Sequence, residues 1–163
     1  MNRLLLVLLL CVVFLGAADT SSHAQSQTPT ITTGRWNQSA KLQAGVLTYH
    51  WITPKPDQRL MAQSLAGYDQ HTASITLTPQ SQIWVRTWEQ QYRVFSLPAH
   101  YPKLNKAKAY GYGSAFTSLV SVQDRGKSIT SRWNQEQSAA RADAAVKAFL
   151  IWAEQTTGGK SGL

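Results

Sequence analysis

The residues best suited to chemistry lie in the stretch Pro98 to Gly113, PAHYPKLNKAKAYGYG. Lys103, Lys106 and Lys108 stand there beside Tyr101, Tyr110 and Tyr112, with His100 at the front. Lysine ammonium groups hold phosphate or carboxylate, and tyrosine rings stack on sugars or bases. Gly111 and Gly113 loosen the backbone, and long irregular segments in compact domains are more often functional or mobile than incidental. The expectation is a binding loop made of His100, Tyr101, Lys103, Lys106, Lys108, Tyr110 and Tyr112. Its competitor is bland: lysines in a loop are commonly just solvated.

Catalytic chemistry has no such cluster. The chain holds no HExxH, no phosphate-binding GxxxxGK[ST], no GxSxG and no metal-spaced Cys/His pairs. A hydrolytic site would have to combine His50, His71 or His100 with a serine or threonine and a carboxylate such as Asp57, Asp69 or Asp124. Spacing alone assembles no such triad, although Asp69 and His71 are close enough for a local hydrogen bond. Acid–base hydrolysis of a glycan needs two carboxyl groups at a defined separation. Asp57, Asp69, Glu89 and Asp124 are the candidates, since Glu136, Asp143 and Glu154 read as helix surface. No catalytic residue, metal ligand or cofactor is assigned.

The start of the chain sets the compartment. Met1-Asn-Arg3 is a short basic opening, Leu4 to Leu15 is an unbroken apolar run, and Ser22-His23-Ala24 fits small-x-small cleavage. Residues 1–24 therefore read as a signal peptide, with Gly16-Ala17-Ala18 as a second cleavage option. The apolar run falls short of the ~20 residues a comfortable membrane span needs. Cys11, the only cysteine, lies inside that run behind three leucines, where lipid attachment would want small residues. Export without disulfides points to a bacterial envelope or periplasm more than to a small stapled animal factor.

Losing Arg3 and Asp19 with the signal leaves the net charge at +8. Cationic exported proteins meet anionic polymers. Yet only 15% of residues are charged, so the polarity is mostly neutral. An anionic envelope polymer or an envelope protein is the expected partner; nucleic acid is not.

The elements that position these residues follow from periodicity. Asn134 to Thr156 reads as an amphipathic helix, with Ala139, Ala142, Val146, Phe149, Leu150 and Ala153 on one arc. Asn134 and Gln137 have capping-box logic, Asp143 and Lys147 form a favourable i,i+4 pair, and Gly158-Gly159 supplies the stop. Trp152, Ala145 and Ala148 widen the apolar arc beyond what one sheet face requires.

Upstream, Val46 to Thr53 is a strand with Leu47, Tyr49 and Trp51 on one face. Asp57 to Gly67 suggests a short helix, and Thr72 to Thr78 a strand with Ala73, Ile75 and Leu77 inward. Pro79 to Leu97 has hairpin-like composition but helical periodicity. Trp84, Trp88, Tyr92 and Phe95 share one side, and Arg86, Glu89, Gln90 and Arg93 the other. Helix is preferred, capped by Thr78 before Pro79 and stopped by Pro98. Ser114 to Gln123 and Lys127 to Trp133 form a hairpin. The tetrad Arg-Trp-Asn-Gln, at 35–38 and 132–135, has unmatched flanks and is no repeat.

The expected architecture is an α+β domain, with mixed α/β possible, in which a mixed or antiparallel sheet is covered by the C-terminal helix. Residues 25–40 are a flexible leader, 41–157 a single globular domain and 158–163 a disordered tail. The expected function is a non-catalytic, exported accessory or binding protein of the cell envelope. A small secreted hydrolase of a cell-wall or other polymer is the alternative.

Overall fold

The computed structural model describes residues 28–55, 67–104 and 117–160. Among the described residues, six strands form one antiparallel sheet: β1 (Thr30–Arg35), β2 (Gln38–Gln43), β3 (Val46–Pro54), β4 (Tyr68–Thr76), β5 (Ser118–Asp124) and β6 (Lys127–Trp133). Their order across the sheet is β4-β3-β2-β1-β5-β6. Two α-helices among the described residues, α1 (Pro79–Gln91) and α2 (Ala140–Thr157), make this an α+β domain. The sheet is antiparallel throughout, which excludes the mixed α/β arrangement.

Two-residue turns set the register. Ala44-Gly45 and Arg125-Gly126 have positive φ at both positions, the geometry that matches the twist of paired strands. One face of every strand then points at the helices. Ile31, Leu42, Leu47, Tyr49, Val120 and Val122 bury there against Val146, Phe149 and Leu150 of α2.

Strand β1 corrects the flexible-leader expectation for residues 25–40. Thr30–Arg35 sits between β2 and β5 near the middle of the sheet, with Ile31 and Thr33 fully buried. Its Thr-rich sequence looked solvated, but β-branched threonine suits a pleated strand, and each neighbour satisfies one edge of its backbone.

Helix α1 takes the periodicity over the composition. Thr78 Oγ1 accepts from Ser81 N at 3.2 Å and Pro79 occupies the first turn. Trp84 stacks flat on Trp152 with centroids 4.2 Å apart and an interplanar angle of 6°. That stack is where the wide apolar arc of α2 goes. Glu89, expected on the solvent side and paired with Arg93, is instead buried and turned toward the β5–β6 turn.

Helix α2 begins six residues later than its sequence suggests. The capping logic does operate: Asn134 Oδ1 accepts from Glu136 N, and Gln137 Oε1 accepts from Asn134 N, both at 3.0 Å. The turn it closes is tied sideways, because Gln137 Nε2 donates to Tyr101 O and Ser138 N to Pro102 O. Those bonds keep the chain out of the helix until Ala139. Asp143, placed on the outward stripe, accepts from Trp133 Nε1 at 2.7 Å, while Arg35 Nη2 donates to its backbone oxygen.

At the other end Gly158 takes the left-handed conformation, φ +70°, and ends α2 as expected. Gly159 is buried, so the tail is anchored at least this far. Strand β4 is longer than expected and more exposed: Leu77 is buried, Ala73 half-buried and Ile75 42% exposed. The expected short helix after Asp57 lies outside the described residues, apart from Gly67.

Candidate functional site

The sequence-predicted loop lies only partly within the described residues. Tyr101 packs on Trp133 with centroids 5.4 Å apart and is 8% exposed, and burial pushes its phenol pKa above the ordinary value. Lys103 forms an isolated antiparallel bridge with Gln137, although its side chain is exposed. His100 is exposed on a bend. Lys106, Lys108, Tyr110 and Tyr112 lie outside the described residues. The structure therefore removes Tyr101 from any exposed stacking surface.

The histidines do not converge. His50 is on the open face of the sheet, with Nδ1 2.8 Å from Thr72 Oγ1. His71 stacks on Trp51 at 5.1 Å and 18°, with Nε2 2.8 Å from Thr53 Oγ1. Both are cross-strand ladder contacts, set by the β3–β4 register that pairs His50 with Thr72 and Trp51 with His71. Among the described residues no histidine forms an ion pair with a carboxylate, and no cluster of three metal-ligating side chains occurs.

The charged groups that do converge lie between the end of α1 and the β5–β6 turn. Glu89 and Asp124 are each about 95% buried, at 4% and 5% exposure. Arg125 bridges them from solvent, with Nε 2.5 Å from Asp124 Oδ2 and Nη2 3.4 Å from Glu89 Oε2. Glu89 Oε1 is buried with no hydrogen-bond partner. Desolvation, then the nearby Asp124 charge, raises the Glu89 pKa from 4.5 to about 7, against the opposing pull of Arg125.

Beside this pair opens a cleft of about 580 Å³, bordered by Glu89, Gln90, Arg93, Phe95, Arg125 and Lys127. Local geometry aims the cations at it. Arg93 follows the last turn of α1 at φ +47°, a left-handed conformation unusual for a long side chain. Ser96 Oγ donates to Arg93 O at 2.9 Å and buried Val94 anchors the short 3₁₀ turn that follows. Arg125 occupies the first left-handed position of the β5–β6 turn, where asparagine or glycine would be the relaxed choice. Lys127 Nζ stands 5.9 Å from the centre of the Phe95 ring.

Chemically, the cleft offers three cationic groups around an apolar ring, above a carboxyl group that is half protonated near neutrality. That arrangement suits a ligand with anionic groups. Sequence reasoning named Asp124 and Glu89 only as members of a pool of carboxylates. It missed the cleft because Arg93, Arg125 and Lys127 come from two elements whose contact no local pattern reveals.

Comparison with protein-family models, with curated proteins and with solved structures returns no match.

Proposed function

We propose that this is an exported, non-catalytic binding protein of the cell envelope whose ligand presents anionic groups to the cleft between α1 and the β5–β6 turn. One observation carries the reading: Arg93, Arg125 and Lys127 ring a single open cleft with Phe95 at its wall. The overall charge of +8 would favour approach to an anionic polymer, and among the described residues His50 and His71, each beside a threonine hydroxyl, have no carboxylate ion-paired to them to complete a triad. Export rests on the amino-terminal apolar run. No described helix is long and apolar enough to cross a membrane.

Retention on a heparin column at graded salt tests it. The variant Arg93→Gln/Lys127→Gln should elute at clearly lower salt than the parent. Lys103→Ala/Lys106→Ala/Lys108→Ala reports on the lysine loop in the same run. A loss confined to the loop variant would move the site there, and unchanged retention in both would end the anionic-ligand reading.

A second reading has one specific observation behind it. A buried carboxyl group with a pKa of about 7 beside a second carboxylate is what a general acid needs, so the cleft also fits a small polymer hydrolase. Glu89→Gln separates the two: retention survives in a binding protein, whereas release of reducing ends from purified peptidoglycan would fall to background in a hydrolase.

A further inference from the structure

The two edges of the sheet are treated differently. Strand β6 carries Lys127 and Arg132, its Ser131 Oγ donates to Pro98 O at 2.9 Å, and its end is tied to α2 through Trp133. Those are the charges and coverings by which an edge strand avoids pairing with another chain. Strand β4 has fewer of them among the described residues. It pairs with β3 without interruption over nine residues, holds no proline or lysine, and has no strand on its other side among the described residues. Its only charge is Asp69, near one end.

The sequence of β4, YDQHTASIT, is also compatible with itself. Antiparallel pairing of two copies about Thr72 sets Thr72 opposite Thr72, Gln70 opposite Ser74, His71 opposite Ala73 and Asp69 opposite Ile75. No like charges meet, and threonine pairs and amide–hydroxyl pairs are favourable cross-strand neighbours. Ile75, 42% exposed at this edge, gains cover from the second strand. The N–H and C=O groups along the edge, which no described strand pairs, find partners at the same time.

We propose that β4 is a homodimer interface, joining the sheets of two copies into one continuous sheet with a two-fold axis through Thr72. This is independent of the cleft, which lies toward the β5–β6 side of the sheet. Light scattering of the purified protein should give twice the monomer mass, falling toward the monomer on dilution. Gln70→Lys/Ser74→Lys sets lysine against lysine on both sides of the axis and should give monomer with an unchanged far-ultraviolet spectrum and a cooperative melt. Gln70→Glu/Ser74→Lys sets glutamate against lysine and should restore the dimer. A parent protein that stays monomeric at the highest concentration, or a double-lysine variant that stays dimeric, would overturn the proposal. A glutamate–lysine variant that fails to recover the dimer although folded would overturn the Thr72-centred register.

Discussion

Trp88 Nε1 donates to the backbone oxygen of Ala145 at 2.9 Å, joining the two helices inside the core. The same indole is 2% exposed and lies 4.8 Å from the Phe149 ring. Trp88 therefore contributes both apolar burial and a polar tie that fixes how α1 sits on α2. Trp88→Phe keeps most of the first and removes the second, and should lower the unfolding free energy by about 1–3 kcal/mol. Trp88→Ala should cost more, roughly 3–5 kcal/mol. Urea melts followed by circular dichroism measure both, and a Trp88→Phe variant as stable as the parent would mean that the hydrogen bond contributes nothing.

Thr33 gives a prediction of the opposite sign. It is fully buried in central strand β1, and its Oγ1 has no hydrogen-bond partner. Valine has nearly the same shape and no polar atom to leave unsatisfied, so Thr33→Val should stabilise the protein by about 1 kcal/mol. A loss of stability in the same melt would show that the hydroxyl has a partner after all.

The contrast between Thr33 and Trp88 shows what the sequence could reveal. The helices were legible because their apolar residues recur at helical spacing, down to the Thr78 cap and the glycine stop at Gly158. Strand β3 and the β5–β6 hairpin were legible from alternation and turn chemistry. Strand β1 was not, because its inward positions are one isoleucine and one threonine, too little apolar signal to stand out from a leader. The cleft was illegible for another reason. Glu89 lies only one residue from Trp88, and a helical wheel cannot tell which flank of α1 the β5–β6 turn will cover.

Gly159 tests how firmly the chain end is held. A Cβ placed there would lie 2.8 Å from Tyr49 Cδ1 and 3.0 Å from Trp51 Cζ3. Both rings belong to the stack Tyr49–Trp51–His71 on β3 and β4, so they cannot move independently. Gly159→Ala should destabilise by about 1–3 kcal/mol through overpacking. Gly158→Ala acts differently: nothing crowds that site, and its cost comes from the left-handed backbone alone, about 1 kcal/mol. The two variants should separate in tryptophan fluorescence, because only the Gly159 change presses on Trp51.

Glu89 makes stability depend on pH in a direction unusual for an acid. Its pKa rises from 4.5 to about 7 on folding, because burial and then Asp124 disfavour the charged form more than Arg125 favours it. The folded protein thus holds this proton more tightly than the unfolded chain. The stabilising contribution is complete below about pH 4.5 and is lost as pH rises through about 7. A shift of this size corresponds to about 3 kcal/mol across the window. Glu89→Gln carries no titrating proton, so its stability relative to the parent should increase by about 3 kcal/mol between pH 4 and pH 8. Arg125→Ala removes a group that lowers the Glu89 pKa, and should move the midpoint of the parent's pH dependence upward. Urea melts at half-unit pH intervals read both effects. A parent and a Glu89→Gln variant that track each other from acid to alkaline pH would show that Glu89 does not titrate in this window.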